Sequence, residues 1–238
     1  MKHIVAIGGG GFLDDPERPV LDDFVLGMVQ RPRPRVCFLP TASGDDPGCV
    51  VHFYRAFHAR RCEPSHLELF RRTVGDVRDF LLGQDVIYVG GGNTANMLAI
   101  WKVHGIDVVL REAWNVGVIL TGVSAGAMCW FDSGITDSFG SEMAPLHGGL
   151  GFVPGSFVPH YDQDTRRRAV FHRSVARGHP PGIASDDGVA LHYADGGLVD
   201  VVASRPHARA YQVALSAGGG GVVETPIVPR VLGDGAPL

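Results

Sequence analysis

Short, largely apolar runs that alternate with helix-like segments are the feature that most constrains the fold of this 238-residue chain. Four such runs lie in the first half of the sequence, at residues 3–7, 36–39, 85–89 and 116–123. Strands that are apolar along their length are buried on both faces, so the pattern predicts a parallel sheet with helices on both sides. The sequence contains no linker, repeat or low-complexity tract. We therefore expect one α/β domain over residues 1–238.

The pattern changes after about residue 182, where the apolar stretches are shorter and turns separate them. Residues 189–193, 198–203 and 210–214 have the length and composition of short strands, and strands joined by short turns pair antiparallel. We expect these strands to lie at one edge of the sheet.

Charge and composition narrow the class of partner. The formal net charge is −4, and basic residues form only short runs such as residues 166–168, whereas a nucleic-acid-binding face needs a broad basic patch. No apolar stretch approaches the length of a membrane span, and the N-terminal residues lack the pattern of a signal peptide. The four cysteines have no CxxC spacing, which is typical of reduced thiols in the cytosol. These features predict a cytoplasmic protein that acts on a small molecule or peptide, and a homo-oligomer is compatible with them.

A serine motif follows the fourth apolar run. Residues 122–126 read Gly-Val-Ser-Ala-Gly, which fits the G-x-S-x-G pattern of a nucleophile held on a sharp turn between a strand and a helix. The pattern makes Ser124 the candidate nucleophile and directs the backbone N–H of Ala125 toward a developing oxyanion. A serine that only caps a helix in a glycine-rich turn is the alternative.

A serine hydroxyl needs a base to take its proton. His160 is the best candidate, because it follows an apolar run over residues 152–158 and a proline that favours an extended entry into the turn. Most of the other ten histidines lie in helix- or strand-like segments. His147, in a glycine-containing loop, is the main competitor.

Two glycine-rich turns also follow predicted strands, at residues 8–11 and 90–93. The second turn enters a helix, so its N–H groups can supply an oxyanion donor or cradle a phosphate. Neither turn carries the lysine of a P-loop, and the full G-x-G-x-x-G fingerprint fails because residue 13 is leucine. The sequence therefore gives no support for a dinucleotide or other cofactor.

An acidic residue should orient the histidine. Asp137, Glu142 and Asp162 lie in the right region of the sequence. We select Asp137 because its segment follows the predicted nucleophile helix, although an aspartate in a loop is more often a turn former.

Taken in order and spacing, the Gly-Gly-Gly-Asn-Thr run at residues 90–94, the serine motif and the Pro-His pair at 159–160 resemble the peptidase E and cyanophycinase group of serine peptidases. The resemblance runs from the first strand to about residue 213. It implies a flavodoxin-like three-layer sandwich, similar to class I glutamine amidotransferases. It also implies cleavage of dipeptides and some longer peptides after an N-terminal aspartate, without a metal or cofactor.

By position, the resemblance makes Ser124 the nucleophile and His160 the base, with the backbone of Gly92 and Ala125 as the oxyanion hole. It places Asn93 in the substrate site. It also places a substrate-binding arginine in the segment at residues 164–168, where Arg166 is the closest match. The segment carries three consecutive arginines, and the family's Thr-Asn-Asp pattern appears here as Thr-Asp-Ser at residues 136–138. These departures keep Glu142 and Asp162 as alternatives for the orienting acid, and Arg167 and Arg168 as alternatives for the substrate arginine.

Two other hypotheses are compatible with the sequence. An α/β-hydrolase-like esterase would use the chain order Ser124, Asp137, His160, although such folds place the histidine much later. A relative that keeps the cleft but has lost catalysis would bind a ligand only. Reactivity with a serine-directed reagent separates the enzymes from the binding protein.

Overall fold

The computed structural model describes residues 1–13, 19–218 and 220–233. Within these ranges the chain forms seven α-helices and two β-sheets, together with short 3-10 turns at Gly11–Leu13 and Thr41–Ser43. The helices are α1 Val20–Leu26, α2 Pro47–Ala56, α3 Val77–Leu82, α4 Thr94–His104, α5 Ile106–Asn115, α6 Ala125–Met128 and α7 Thr165–Ala176. No helix in the described part of the chain is both long enough and apolar enough to cross a membrane.

Side-chain caps define where several helices begin. Asp46, Asp76, Asn93 and Asp164 precede α2, α3, α4 and α7, and each side chain accepts a hydrogen bond from a backbone N–H of the first turn. Such a cap stabilises a helix by about 1 kcal/mol because it satisfies a donor that has no partner inside the helix.

The main sheet has eight strands in the order β14-β11-β10-β1-β5-β4-β2-β3. Its strands are β1 His3–Ile7, β2 Arg35–Leu39, β3 Glu63–His66, β4 Val86–Val89, β5 Ile119–Val123, β10 Val189–Ala194, β11 Gly197–Ala203 and β14 Arg230–Val231. Strands β1 to β5 are mutually parallel, whereas β10 pairs antiparallel with both β1 and β11. The predicted α/β class, with a mainly parallel sheet and antiparallel strands at one edge, is confirmed.

Helices cover both faces of the main sheet, as the apolar strands require. In β1, Val5 and Ile7 pack with residues of α1 and α2, whereas Ile4 and Ala6 point to the opposite face and pack with residues of α3, α4 and α5. Alternate side chains of a strand point to opposite faces, so a strand that is apolar throughout supplies both layers of the core.

A second sheet of six strands has the order β13-β12-β9-β8-β6-β7. Its strands are β6 Phe131–Thr136, β7 Ala144–His147, β8 Val153–Val158, β9 Gly182–Ser185, β12 Ala210–Leu215 and β13 Val222–Ile227. The strand predicted at residues 210–214 is present as β12, but it pairs with β9 and β13 and not with the edge of the main sheet. A strand pattern identifies the strand, while its partner depends on contacts that are distant in sequence.

The two sheets bring several chain turns together. Strands β1, β4 and β5 of the main sheet end at residues 7, 89 and 123, and β8 and β9 of the second sheet end at residues 158 and 185. The segments that follow these five ends contain the glycine turns, Ser124 and His160. Ligands of open α/β sheets bind at the carboxyl ends of strands, so the topology places the candidate residues where a site is expected.

Candidate active site

Ser124 sits on the sharp turn between β5 and α6. Its φ angle is 57°, a conformation that costs a non-glycine residue about 1–3 kcal/mol and must be held by its surroundings. Two glycines make the turn feasible. A Cβ on Gly122 would lie 2.3 Å from the carbonyl oxygen of Gly126, and a Cβ on Gly126 would lie 2.2 Å from the carbonyl oxygen of Val89. The glycines of the motif are therefore required by close backbone approach.

His160 reaches Ser124 from the turn after β8. Its Nε2 lies 2.8 Å from Oγ of Ser124, and its side chain is 29% exposed. The residue has a φ of 55°, and its backbone N–H donates to the carbonyl of Gly8 over 3.3 Å. The structure thus brings together the two residues that the sequence selected as nucleophile and base.

The carboxylate on the other side of His160 belongs to Asp187. Its Oδ1 lies 2.6 Å from Nδ1 of His160, and its side chain is 19% exposed. Asp187 follows β9, and its backbone N–H donates to Oδ1 of Asp162 over 2.9 Å. The preceding residue, Asp186, has a separate role, because its Oδ2 accepts the backbone N–H of Arg209 over 2.9 Å. Burial raises the pKa of Asp186.

The sequence-based selection of Asp137 as the partner of His160 does not match this geometry. Asp137 follows β6, its side chain is 57% exposed, and its Oδ2 lies 3.9 Å from Nη2 of Arg167. Proximity in sequence to the nucleophile helix favoured Asp137, but β9 delivers the carboxylate from 27 residues beyond His160. The available signal was an acidic pair, followed by a glycine, directly after a short apolar strand.

The other two candidate acids also lie away from Nδ1 of His160. Asp162 supports the turn of Asp187, as described above, and its Oδ2 accepts from Nη2 of Arg205 over 3.1 Å. Glu142 is exposed on the segment between β6 and β7. The chain order is therefore Ser124, His160, Asp187, which differs from the Ser, Asp, His order of α/β-hydrolases.

The first glycine turn packs against the histidine and its carboxylate. A Cβ on Gly9 would lie 2.0 Å from Oδ1 of Asp187 and 2.7 Å from Nδ1 of His160. The carbonyl of Gly9 accepts the N–H of Gly188 over 2.8 Å, which ties the two turns together. Close approach to the His160–Asp187 pair thus explains a glycine at this position.

The second glycine turn lies beside the nucleophile. A Cβ on Gly91 would lie 3.4 Å from Cβ of Ser124 and 4.0 Å from its Oγ. Gly92 has a φ of 137°, and a Cβ there would lie 2.2 Å from the carbonyl oxygen of Ala42. The turn therefore brings the backbone of Gly91 to Ser124, near the first turn of α6 that begins at Ala125.

The side chain of Asn93, which the sequence predicts to contact the substrate, makes hydrogen bonds to other residues of the protein through both its oxygen and its nitrogen. Its Oδ1 accepts the N–H of Asn96 over 2.9 Å, as the cap of α4. Its Nδ2 donates to the carbonyl of Ser138 over 3.0 Å. In this structure the side chain fixes the glycine turn to the segment after β6.

The three consecutive arginines of α7 have different environments. Arg166 has an exposed side chain and donates to both carboxylate oxygens of Asp164 over 2.7–3.0 Å. Arg167 is buried, with 8% of the residue exposed, and its Nη1 donates to the carbonyl of Ile135 over 3.3 Å. Its buried Nε has no hydrogen-bond partner among the described residues. Arg168 donates to Glu224 over 2.6 Å.

Charge and burial single out Arg167 among the three. Burial lowers the pKa of Arg167, and the carboxylates of Asp137, Asp164 and Asp187 oppose that shift. The Arg167 guanidinium is buried, and its Nε has donor capacity left for a carboxylate. Arg166, which was selected from the sequence, is instead an exposed residue held by its own helix cap.

Within the described ranges, no group of three or more His, Cys, Asp or Glu side chains is arranged to hold a metal ion. The geometry provides a serine, a histidine and a carboxylate in hydrogen-bonding contact, beside glycine-rich backbone and a buried cation. This arrangement can perform acyl transfer through a serine nucleophile.

Comparison with known protein families matches residues 4–201 to the model of peptidase family S51. The chain belongs to peptidase family S51. The S51 match begins in β1 and ends in β11. It includes Ser124, His160 and Asp187.

Individual relatives of this S51 peptidase agree with the assignment. An uncharacterized peptidase of Bacillus subtilis, YgaJ, is 46% identical over 234 residues, which cover 98% of this chain and 100% of the relative. Peptidase E of Shewanella denitrificans is 26% identical over 156 residues, which cover 60% of this chain and 66% of the relative.

Solved structures show the same fold as this S51 peptidase. A peptidase from an acI-B1 actinobacterium has a TM-score of 0.65 at 18% identity, covering 96% of this chain and 95% of that chain. A peptidase E protein from Listeria monocytogenes, described as putative, has a TM-score of 0.61 at 18% identity, and the match covers 95% of this chain and 99% of that chain. The flavodoxin-like, class I glutamine amidotransferase-like class implied by the sequence resemblance is confirmed.

Proposed function

We propose that this S51 member is a serine peptidase that uses Ser124, His160 and Asp187 as a catalytic triad. The observation that carries the proposal is the continuous contact from Oγ of Ser124 to Nε2 of His160, at 2.8 Å, and from Nδ1 of His160 to Oδ1 of Asp187, at 2.6 Å. A nucleophile, a base and an orienting acid in this order are what acyl transfer needs.

The carboxylate of Asp187 accepts a hydrogen bond from Nδ1–H of His160, which leaves the lone pair of Nε2 facing Ser124. As Oγ of Ser124 attacks the scissile carbonyl, its proton passes to Nε2. The leaving amine then takes that proton, and an acyl-enzyme remains on Oγ. A water molecule gives a proton to Nε2 and attacks the acyl-enzyme. Nε2 then returns this proton to Oγ as the acyl–Oγ bond breaks, which releases the acid and restores Ser124.

The negative oxygen of the tetrahedral intermediates needs preorganised donors. We assign this role to the backbone N–H groups of Gly92 and Ala125, since the glycine turn lies against Ser124 and Ala125 begins α6. Such donors stabilise charge that develops only in the transition state, and removing one typically costs about 10²–10³-fold in kcat.

For the substrate we propose short peptides with an N-terminal aspartate. The relative from Shewanella is named Peptidase E, and the sequence resembles that group. Arg167 replaces Arg166 as our candidate for the cation that binds the aspartate side chain. It is buried, its Nε has no hydrogen-bond partner among the described residues, and the negative charge of Asp187 favours its charged form. A guanidinium binds a carboxylate through two parallel donors, which favours aspartate over asparagine.

A panel of Asp-Xaa, Asn-Xaa, Glu-Xaa and Xaa-Asp dipeptides tests this proposal. We expect the wild-type protein to hydrolyse Asp-Xaa, and Ser124→Ala to lose about 10⁴-fold or more in kcat, as removal of a triad nucleophile does. Ser141→Ala, at an exposed serine in the segment after β6, is the matched control and should retain wild-type activity. Hydrolysis of no peptide, or a folded Ser124→Ala variant within tenfold of wild type, would overturn the mechanism.

A further inference from the structure

The C-terminal hairpin of β12 and β13 is attached to the turn that carries His160. Glu224, on β13, has a side chain that is only 13% exposed. Its Oε2 accepts from the hydroxyl of Tyr161 over 2.7 Å and faces Nε2 of His172 at 2.8 Å. Its Oε1 accepts from Nη1 of Arg168 over 2.6 Å. One carboxylate therefore connects the hairpin to the residue after His160 and to two positions of α7.

Tyr161 is the member of this network that contacts the candidate site most directly, because it follows His160 in the chain. It is 2% exposed, and its backbone N–H donates to the carbonyl of Ser185 over 3.1 Å. The guanidinium of Arg168 lies 4.7 Å from the centre of its ring. Burial and the hydrogen bond to Glu224 raise the pKa of Tyr161, so the hydroxyl keeps its proton and remains a donor.

His160 needs such support because its backbone is in an unfavourable conformation. A φ of 55° is uncommon for a residue other than glycine, and it persists only where the surrounding structure holds it. The backbone N–H of His160 makes a hydrogen bond of 3.3 Å to Gly8, which is at the long end of the normal range. Besides the contacts of its own side chain, the anchored side chain of the next residue, Tyr161, restrains this turn.

We propose that Glu224 is a positioning residue of the catalytic site, which acts by anchoring Tyr161 and thereby holds His160 against Ser124. The inference rests on the proposed serine-peptidase function. The S51 match ends at residue 201, so the carboxylate that does this lies outside the part of the chain matched to the family, on a hairpin with no catalytic candidate of its own.

The rate at which a fluorophosphonate probe labels Ser124 measures this effect without a peptide substrate. At saturating probe, we expect Glu224→Ala and Tyr161→Phe each to slow labelling about tenfold or more, since misplacement on the ångström scale can cost about 10²-fold. The probe concentration at half-saturation should stay unchanged, because neither residue faces the probe. Thr225→Ala, an exposed neighbour on β13, should label at the wild-type rate.

The double variant Tyr161→Phe/Glu224→Ala separates positioning from general destabilisation. If Glu224 acts through Tyr161, the double variant labels no more slowly than Glu224→Ala alone, because residues in one network are non-additive. A wild-type labelling rate in either single variant, or a multiplicative loss in the double variant, would refute the inference. Absence of labelling in the wild-type protein would instead refute the proposed function itself, so the two failures are distinguishable.

Discussion

Nδ1 of His160 lies 2.6 Å from Oδ1 of Asp187, although the two residues are 27 positions apart in the chain. The contact joins the ends of two neighbouring parallel strands, β8 and β9. It determines which imidazole nitrogen faces Ser124, because the nitrogen that donates to a carboxylate must carry the proton. The pairing of two strands in the second sheet thus brings a histidine and its carboxylate partner to a serine that follows β5 of the main sheet.

Gly9→Ala should lower activity although the residue contributes no functional group. A methyl group at this position would lie 2.0 Å from Oδ1 of Asp187 and 2.7 Å from Nδ1 of His160, so the pair must separate. We expect kcat to fall by about 10²-fold, the scale that follows from ångström-sized misplacement, with little change in KM. Gly75→Ala, where a Cβ meets nothing within 4 Å, is the matched control for steady-state kinetics. An unchanged kcat in a folded Gly9→Ala variant would contradict the packing described for this turn.

The two arginines can be separated by matched lysine substitutions. Arg167→Lys keeps a charge but removes the guanidinium fork, and we expect kcat/KM for Asp-Xaa to fall by about 10–100-fold, the range for losing a hydrogen bond to a charged group. The Asp-Xaa to Asn-Xaa ratio should fall with it. Arg166→Lys should behave as wild type, since that side chain is exposed and bonded to Asp164. Loss of the aspartate preference in Arg166→Lys alone would return the substrate role to Arg166.

We expect the buried carboxyl of Asp22 to make the free energy of unfolding depend on pH. The side chain is fully buried, and desolvation raises its pKa to about 7. As the pH rises from about 4 to about 7, the unfolded state releases this proton while the folded state retains it, so the contribution of Asp22 to stability falls, by at most about 1.4 kcal/mol per pH unit. Above that range both states are ionised and the loss is complete. Asp22→Asn should remove this decline, which urea unfolding at pH 5 and pH 7.5 will measure.

Asp79→Asn is the control for the pH experiment, because its carboxylate is 77% exposed. The unfolding free energy of that variant should follow the wild-type pH dependence. A parallel pH dependence in wild type and Asp22→Asn would show that the buried carboxyl does not titrate as described.

Sequence patterns were sufficient to predict the structural features that depend on residues adjacent in the chain. The apolar runs of β1, β2, β4 and β5 predicted the parallel sheet, because a strand buried on both faces needs apolar side chains in succession. The serine motif identified the turn at Ser124, because a φ of 57° with close backbone contacts requires the flanking glycines. The position of His160 against Ser124 agrees with the sequence-based selection, which depended mainly on the family resemblance.

Features that depend on the pairing of distant strands could not be predicted from such sequence patterns. Asp187 reaches His160 only because β9 pairs with β8, and its local signal, an acidic pair after a short apolar strand, does not indicate which histidine lies beside the end of that strand. For a similar reason the sequence did not indicate that Arg167, and not Arg166, is the buried residue of the two. Successive helix residues point about 100° apart, so which one is buried depends on how α7 packs on the second sheet.

We propose that Asp187, and not Asp137, completes a triad with Ser124 and His160. Asp187→Asn and Asp137→Asn, compared in one Asp-Xaa hydrolysis assay, test it most directly. We expect Asp187→Asn to lose about 10⁴-fold in kcat, as in other enzymes where the histidine loses its orienting acid and adopts the wrong tautomer, while Asp137→Asn stays close to wild type. Near-normal turnover in a folded Asp187→Asn variant would contradict a triad role for Asp187, and a large loss in Asp137→Asn would assign the orienting acid to Asp137.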